Sequence, residues 1–152
     1  MEALIFTGLQ ASGKSTFYKE RFFDTHVRIN LDMLRTRNRE RLLLQACLAM
    51  KQPFVVDNTN PTALDRARYI ELARSARFRL VAYYFQPDVQ GSRTRNDLRT
   101  GKARVPLGAI YRTANRLQPP AWEEGFDAIY DVWLVDGGFR VEERSRELDA
   151  SV

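Results

Sequence analysis

Phe6-Thr7-Gly8-Leu9-Gln10-Ala11-Ser12-Gly13-Lys14-Ser15-Thr16 follows a short apolar run, Ala3 to Thr7, and leads into helical sequence from Lys14 to Phe23. Residues 8–15 fit the pattern G-x-x-x-x-G-K-[ST] in the strand–loop–helix setting that the pattern requires. Gly8 and Gly13 let the chain turn back so that successive backbone N–H groups face inward, and the start of the helix adds its partial positive charge. Such a loop cradles the phosphates of a nucleotide. Lys14 is placed to span the β- and γ-phosphates, and the Ser15 hydroxyl to ligate magnesium. Gly8, Ala11, Ser12, Gly13, Lys14, Ser15 and Thr16 are therefore assigned to the donor nucleotide, with Mg2+ held at Ser15.

Outward from this loop, apolar runs alternate with helical stretches. Val27 to Asn30 reads as a second strand and Asp32 to Met50, which lacks proline and glycine, as one long buried helix. Phe54-Val55-Val56 is a third strand, followed by a helix from Thr62 to Ser75; Phe78 to Phe85 is a fourth. Helical sequence from Asp88, a loop from Gly101 to Pro106, a helix from Leu107 to Leu117 and a fifth strand from Ala128 to Val135 complete the order. Strands alternating with helices predict βαβ units, hence an α/β three-layer fold with a mostly parallel five-stranded sheet covered by helices on both faces. The 152 residues predict a single domain, with a core over about 1–140 and a charged tail over 141–152.

In an open α/β sheet, ligands sit beyond the carboxyl ends of the strands. The residues after the second strand, Asn30-Leu31-Asp32-Met33-Leu34-Arg35, and after the third, Asp57-Asn58-Thr59-Asn60, therefore belong to the same edge as the loop. Asp32 there is either a helix cap or a carboxylate that accepts the proton of an attacking hydroxyl. Arg35, three residues on, is placed to bind a phosphate on the acceptor. Asp57 ends an apolar strand, the setting of an acid that holds magnesium through water, and equally a cap for the turn that follows. Asp57 and Asn58 are both counted with the substrate-binding residues.

Twenty arginines against four lysines give the chain a net charge of +5. Between Arg66 and Arg116, twelve basic residues face three acids, a field suited to polyanions. Within it, Arg95 and Arg99 stand four apart between Gly91 and Gly101, as in a lid that carries arginines over the donor phosphates. Tyr83, Tyr84, Tyr111 and Trp122 are read as core rather than site. One cysteine, Cys47, and one histidine, His26, exclude an internal disulfide and a Cys/His metal site. No apolar run reaches the length of a membrane span, and Met-Glu-Ala-Leu-Ile lacks a secretory flank, so a cytoplasmic protein without membrane contact is expected.

The order GLQASGKST, RINLDMLR, VVDNTNP, RNDLRTGKARVP resembles the kinase domain of 5′-hydroxyl polynucleotide kinases, members of the P-loop NTPase/kinase fold. The similarity extends from Met1 to about Val135. It implies ATP and Mg2+ at Lys14 and Ser15, Asp32 as general base toward a 5′-OH, Arg35 on the 3′-phosphate of the terminal nucleotide, and Arg99 as the lid arginine on the donor phosphates. Several members have a second acid where this chain has Met33. The acceptor implied is a DNA or RNA 5′-OH end, and no phosphatase signature Asp-x-Asp-Gly-Thr occurs, so 3′-end repair or ligation falls to separate phosphatase or ligase proteins. Two other readings fit the loop alone: a kinase of a small acceptor such as a nucleoside, sugar or antibiotic, and a non-kinase ATP-dependent nucleic-acid-binding protein.

Overall fold

In the computed structural model, which describes residues 1–146, the loop residues Gly8 to Gly13 leave the central strand of a six-stranded sheet ordered β2-β3-β1-β4-β5-β6. The strands are β1 (Glu2–Thr7), β2 (Val27–Ile29), β3 (Phe54–Val56), β4 (Arg79–Phe85), β5 (Ala128–Val135) and β6 (Gly138–Glu143). The first five are parallel and β6 returns antiparallel along β5. The helices are α1 (Lys14–Arg21), α2 (Leu31–Leu34), α3 (Arg37–Met50), α4 (Ala63–Ser75), α5 (Val89–Asp97) and α6 (Leu107–Arg116), with single 3-10 turns at Gly101–Ala103 and Trp122–Glu124.

β1 is buried along nearly its whole length because it feeds two cores. Ala3 and Ile5 pack with Leu44, Cys47, Tyr69, Ile70 and Ala73 of α3 and α4, while Leu4 and Phe6 pack with Phe17 and Tyr18 of α1. This continuous apolar reading is what a parallel strand covered on both faces demands. After β1 the chain visits β2 and β3 on one side and then crosses to β4 and β5 on the other. The strand order thus reverses at β1, and a crevice opens at its carboxyl end.

Two predicted features change. The long helix from Asp32 to Met50 is broken at Arg35, whose φ of 78° lies in the left-handed region. Asn30 caps α2 by accepting from Met33 N, and Thr36 caps α3 by accepting from Arg39 N, so two short-range caps outcompete one continuous helix. α3 is also half exposed rather than buried: Leu44 and Cys47 face the core and Leu42 is half exposed.

The sheet has six strands rather than five. Asp136-Gly137 forms a two-residue hairpin loop, with Gly137 at φ 80° and Val135 opposite Gly138. The first residues of the expected tail, Val141 to Glu143, therefore belong to β6, and Arg144 pairs with Asp131 at 2.7 Å. The rest of that tail, 147–152, lies outside the described residues.

Candidate functional site

Both glycines of the loop are fixed by space as well as by conformation. A Cβ on Gly8 would meet Phe85 Cβ at 2.8 Å, and Gly13, at φ 95°, would meet Phe139 of β6 at 2.9 Å. Gly8 N donates to Thr59 O at 3.1 Å, which ties the loop to the turn after β3. Asn60 reinforces that tie by donating Nδ2 to Phe6 O, while Thr7 Oγ1 and Arg66 Nη1 both donate to Asn60 O.

Lys14 is 9% exposed and donates Nζ to Gly8 O at 3.0 Å and Leu9 O at 2.6 Å. Burial lowers its pKa to about 8; the carboxylates of Asp57 and Asp32 oppose that shift, and the guanidinium of Arg99 adds to it. Lys14 thus feels three of the charged residues that sequence placed around the transferred phosphate, Asp32, Asp57 and Arg99.

Behind the lysine, Ser15 Oγ donates to Asp57 Oδ2 at 3.0 Å, and Asp57 is 2% exposed. Arg28 on β2 bridges the pair, donating Nε to Asp57 Oδ2 at 2.8 Å and Nη2 to Ser15 Oγ at 3.0 Å. Magnesium takes few protein oxygens and keeps several waters and phosphate oxygens. A hydroxyl beside a buried carboxylate, Ser15 with Asp57, therefore fits it. Among the described residues no group of three or more His, Cys, Asp or Glu side chains forms a closed metal cage.

The acceptor side is built differently. Asp32, on α2, and Arg35, just past its end, are exposed. What positions α2 is Asn58: its Oδ1 accepts from Leu31 N at 2.9 Å, while its Nδ2 donates to buried Glu40 and to Tyr69 OH. Asn30 Nδ2 also donates to Asp57 O. Asn58 therefore reaches Asp32 through the backbone of the helix that carries it.

The segment after α5 forms the third wall. Arg95 donates Nε to Ala11 O of the phosphate loop at 2.6 Å. Arg99, just past the end of α5, donates to Ala103 O and lines the cleft. Asn96 fastens this segment by exchanging both hydrogen bonds with Val105. Arg95 thus bonds the backbone of the loop, while Arg99, beyond the end of α5, lines the cleft.

Together these walls enclose an open cleft of about 1140 Å³. Ala11, Ser12, Gly13, Lys14, Ser15, Thr16, Asp32, Arg35, Asp57, Asn58 and Arg99 all line it; Gly8 and Arg95 do not. None of Tyr83, Tyr84, Tyr111 and Trp122 borders it, while Tyr69 does. Sequence reading missed Arg28, Glu40 and Tyr69. It also counted Arg66 in the exposed basic field, whereas Arg66 is fully buried and paired with Glu124 at 2.7 and 2.9 Å.

Comparison with known proteins agrees with this fold. The bifunctional polynucleotide phosphatase/kinase of Schizosaccharomyces pombe is 27% identical over 135 residues, which cover 86% of this chain and 33% of that protein. The chain thus spans about a third of the length of the curated relative it matches. A gluconokinase from Sinorhizobium meliloti superposes with a TM-score of 0.62 at 18% identity, over 88% of this chain and 83% of its own. Kti12 from Chaetomium thermophilum, solved with ADP-AlF3, gives 0.63 at 17% identity, over 88% and 90%. Among the described residues no helix is long and apolar enough to cross a membrane. The AAA domain family model matches residues 4–120, and the chain belongs to that family, with the fold of a P-loop kinase.

Proposed function

We propose that the protein is an ATP-dependent polynucleotide 5′-hydroxyl kinase, moving the γ-phosphate of ATP onto the 5′-OH end of DNA or RNA. The observation that carries this reading is the composition of the cleft beyond the phosphate loop. Beyond that loop its lining holds six Lys and Arg side chains against three Asp, an excess that a neutral sugar or nucleoside acceptor does not require. The relative in Schizosaccharomyces pombe, whose name states a polynucleotide kinase, supports the same acceptor class.

In this reading Lys14 leaves the carbonyls of Gly8 and Leu9 for the β- and γ-phosphates, whose charge holds it protonated there. Asp32 accepts the proton of the 5′-OH as that oxygen attacks the γ-phosphorus in line with the departing ADP. Arg99 neutralises charge on the equatorial oxygens, and Arg95 braces the loop at Ala11. Ser15 and Asp57 would hold Mg2+, which when bound neutralises charge between the β- and γ-phosphates. Arg35 takes the 3′-phosphate of the terminal nucleotide, and Asn58 keeps α2 in place. The rest is positioning.

The test is transfer of a labelled γ-phosphate to a panel of 5′-OH DNA, 5′-OH RNA, 3′-nucleoside monophosphates and free nucleosides. Transfer to 5′-OH nucleic acid above transfer to nucleosides supports the reading. Equal rates on nucleosides would replace it with a small-acceptor kinase, and no transfer at all with a nucleotide-dependent binding protein.

A further inference from the structure

Past Asp32 and Arg35 the cleft continues along one face of α4, where two residues each meet an arginine from another element. Asp65 and Tyr69 stand four apart, so their Cβ atoms are about 6 Å from each other on a single face. Arg37, the first residue of α3, donates Nη1 to Tyr69 OH at 3.2 Å and to Glu40 Oε1 at 2.9 Å. Arg116, the last residue of α6, approaches Asp65 with Nη2 at 3.6 Å from Oδ2. The two arginine side chains are 54% and 61% exposed.

The neighbouring acids are already engaged. The same Oδ2 of Asp65 that faces Arg116 accepts from Thr62 Oγ1 at 2.8 Å and Thr62 N at 3.3 Å, as half of the capping box of α4. Glu40 is 3% exposed and serves Asn58 and Tyr69 as well as Arg37. Arg116 therefore has only a long, exposed ion pair, of the kind that holds a side chain weakly. Arg37 lines the cleft and is held through Nη1 alone among the described residues, which leaves its remaining N–H donors for a ligand. Two exposed guanidinium groups, tethered at Tyr69 and Asp65 of α4, thus line the same cleft as Arg35, and arginine's fork suits a phosphate.

We propose that Arg37 and Arg116 form a second phosphate subsite for the acceptor, taking the phosphate one nucleotide further from the reacting 5′ end than the one on Arg35. The inference rests on the kinase reading above. It names the acceptor as a strand whose second phosphate matters, gripped through its backbone and therefore with little base preference.

The experiment compares kcat/KM for phosphate transfer from ATP to a 3′-nucleoside monophosphate and to a dinucleotide carrying a 3′-phosphate. These acceptors offer one and two phosphates. The wild-type protein is expected to prefer the dinucleotide by about tenfold, mainly through KM. Arg116→Gln should reduce that preference to about twofold and lower the salt slope on the dinucleotide by about one. Arg37→Gln should do the same; because Arg37 also braces Glu40 and Tyr69, its melting curve is read alongside, and Arg116→Gln, on the surface, carries the decision. An unchanged preference in Arg116→Gln, or no preference in the wild type, overturns the subsite while transfer to both acceptors upholds the kinase. Absence of transfer to either acceptor overturns both.

Discussion

The two halves of the cleft are held in opposite ways. On the donor side Lys14 and Asp57 are buried, and each is fixed by several short hydrogen bonds from the loop, β2 and α1. On the acceptor side Asp32, on a four-residue helix, and Arg35, just past its end, are exposed, and the helix is placed by Asn30 and Asn58. A phosphate cradle is common to many reactions and can be rigid. The acceptor half has to admit a strand end, and its reactive groups stand in solvent until one arrives.

That difference can be broken from either side. Lys14→Ala should remove both nucleotide affinity and transfer, with kcat/KM falling roughly 10³–10⁵-fold, the range for loss of a cation on the transferring phosphoryl. Asp32→Ala should lower kcat roughly 10²–10⁴-fold with ATP affinity retained, as measured by nucleotide titration and single-turnover transfer. If Asp32→Ala also abolishes nucleotide binding, the division into halves is wrong.

Gly13→Ala should be the most destabilising change in the donor half, costing roughly 2–4 kcal/mol in denaturant unfolding, because it adds a Cβ at φ 95° directly against Phe139. The acceptor half has its own strained point at Arg35, φ 78°. Arg35→Gly and Arg35→Ala lose the same guanidinium, but the glycine variant should be more stable by about 1 kcal/mol.

The pH response should also separate the halves. Lys14 has its pKa lowered to about 8 by burial, so the folded state binds fewer protons than the unfolded one between that value and the ordinary lysine range. Its contribution to stability therefore rises as pH climbs from about 8 toward 10. Nucleotide binding, which restores the charge, should be accompanied by proton uptake near pH 8, seen as a buffer-dependent binding enthalpy in calorimetry. Lys14→Met should abolish the uptake.

The legible part of the molecule was the part written in short-range rules. Gly8, Gly13, Lys14 and Ser15 announce their loop through spacing alone, and β1, β3 and β4 announce a parallel sheet through apolar runs without alternation. The acidic and amide residues after β2 and β3 could be placed at the loop because strand order puts carboxyl ends at one edge. Arg28 was missed because its partners lie 13 and 29 residues away, and one arginine in a short strand carries no periodic signal. Arg66 was misread for the same reason, its bidentate partner Glu124 being 58 residues distant. The break at Arg35 escaped because no glycine or proline marks it; only the paired caps Asn30 and Thr36 do.

The return strand β6 sets where this unit can be cut. Phe139 packs edge-on against Phe17 at 5.0 Å and closes the back of Gly13, while β6 pairs along β5 from Tyr130 to Val135. A chain trimmed at Val135, where the resemblance to polynucleotide kinases fades, would leave β5 as a bare edge and strip the wall behind the phosphate loop. A fragment meant to keep the loop's shape has to run to Glu143, and Arg144 on Asp131 makes a natural clasp just beyond it.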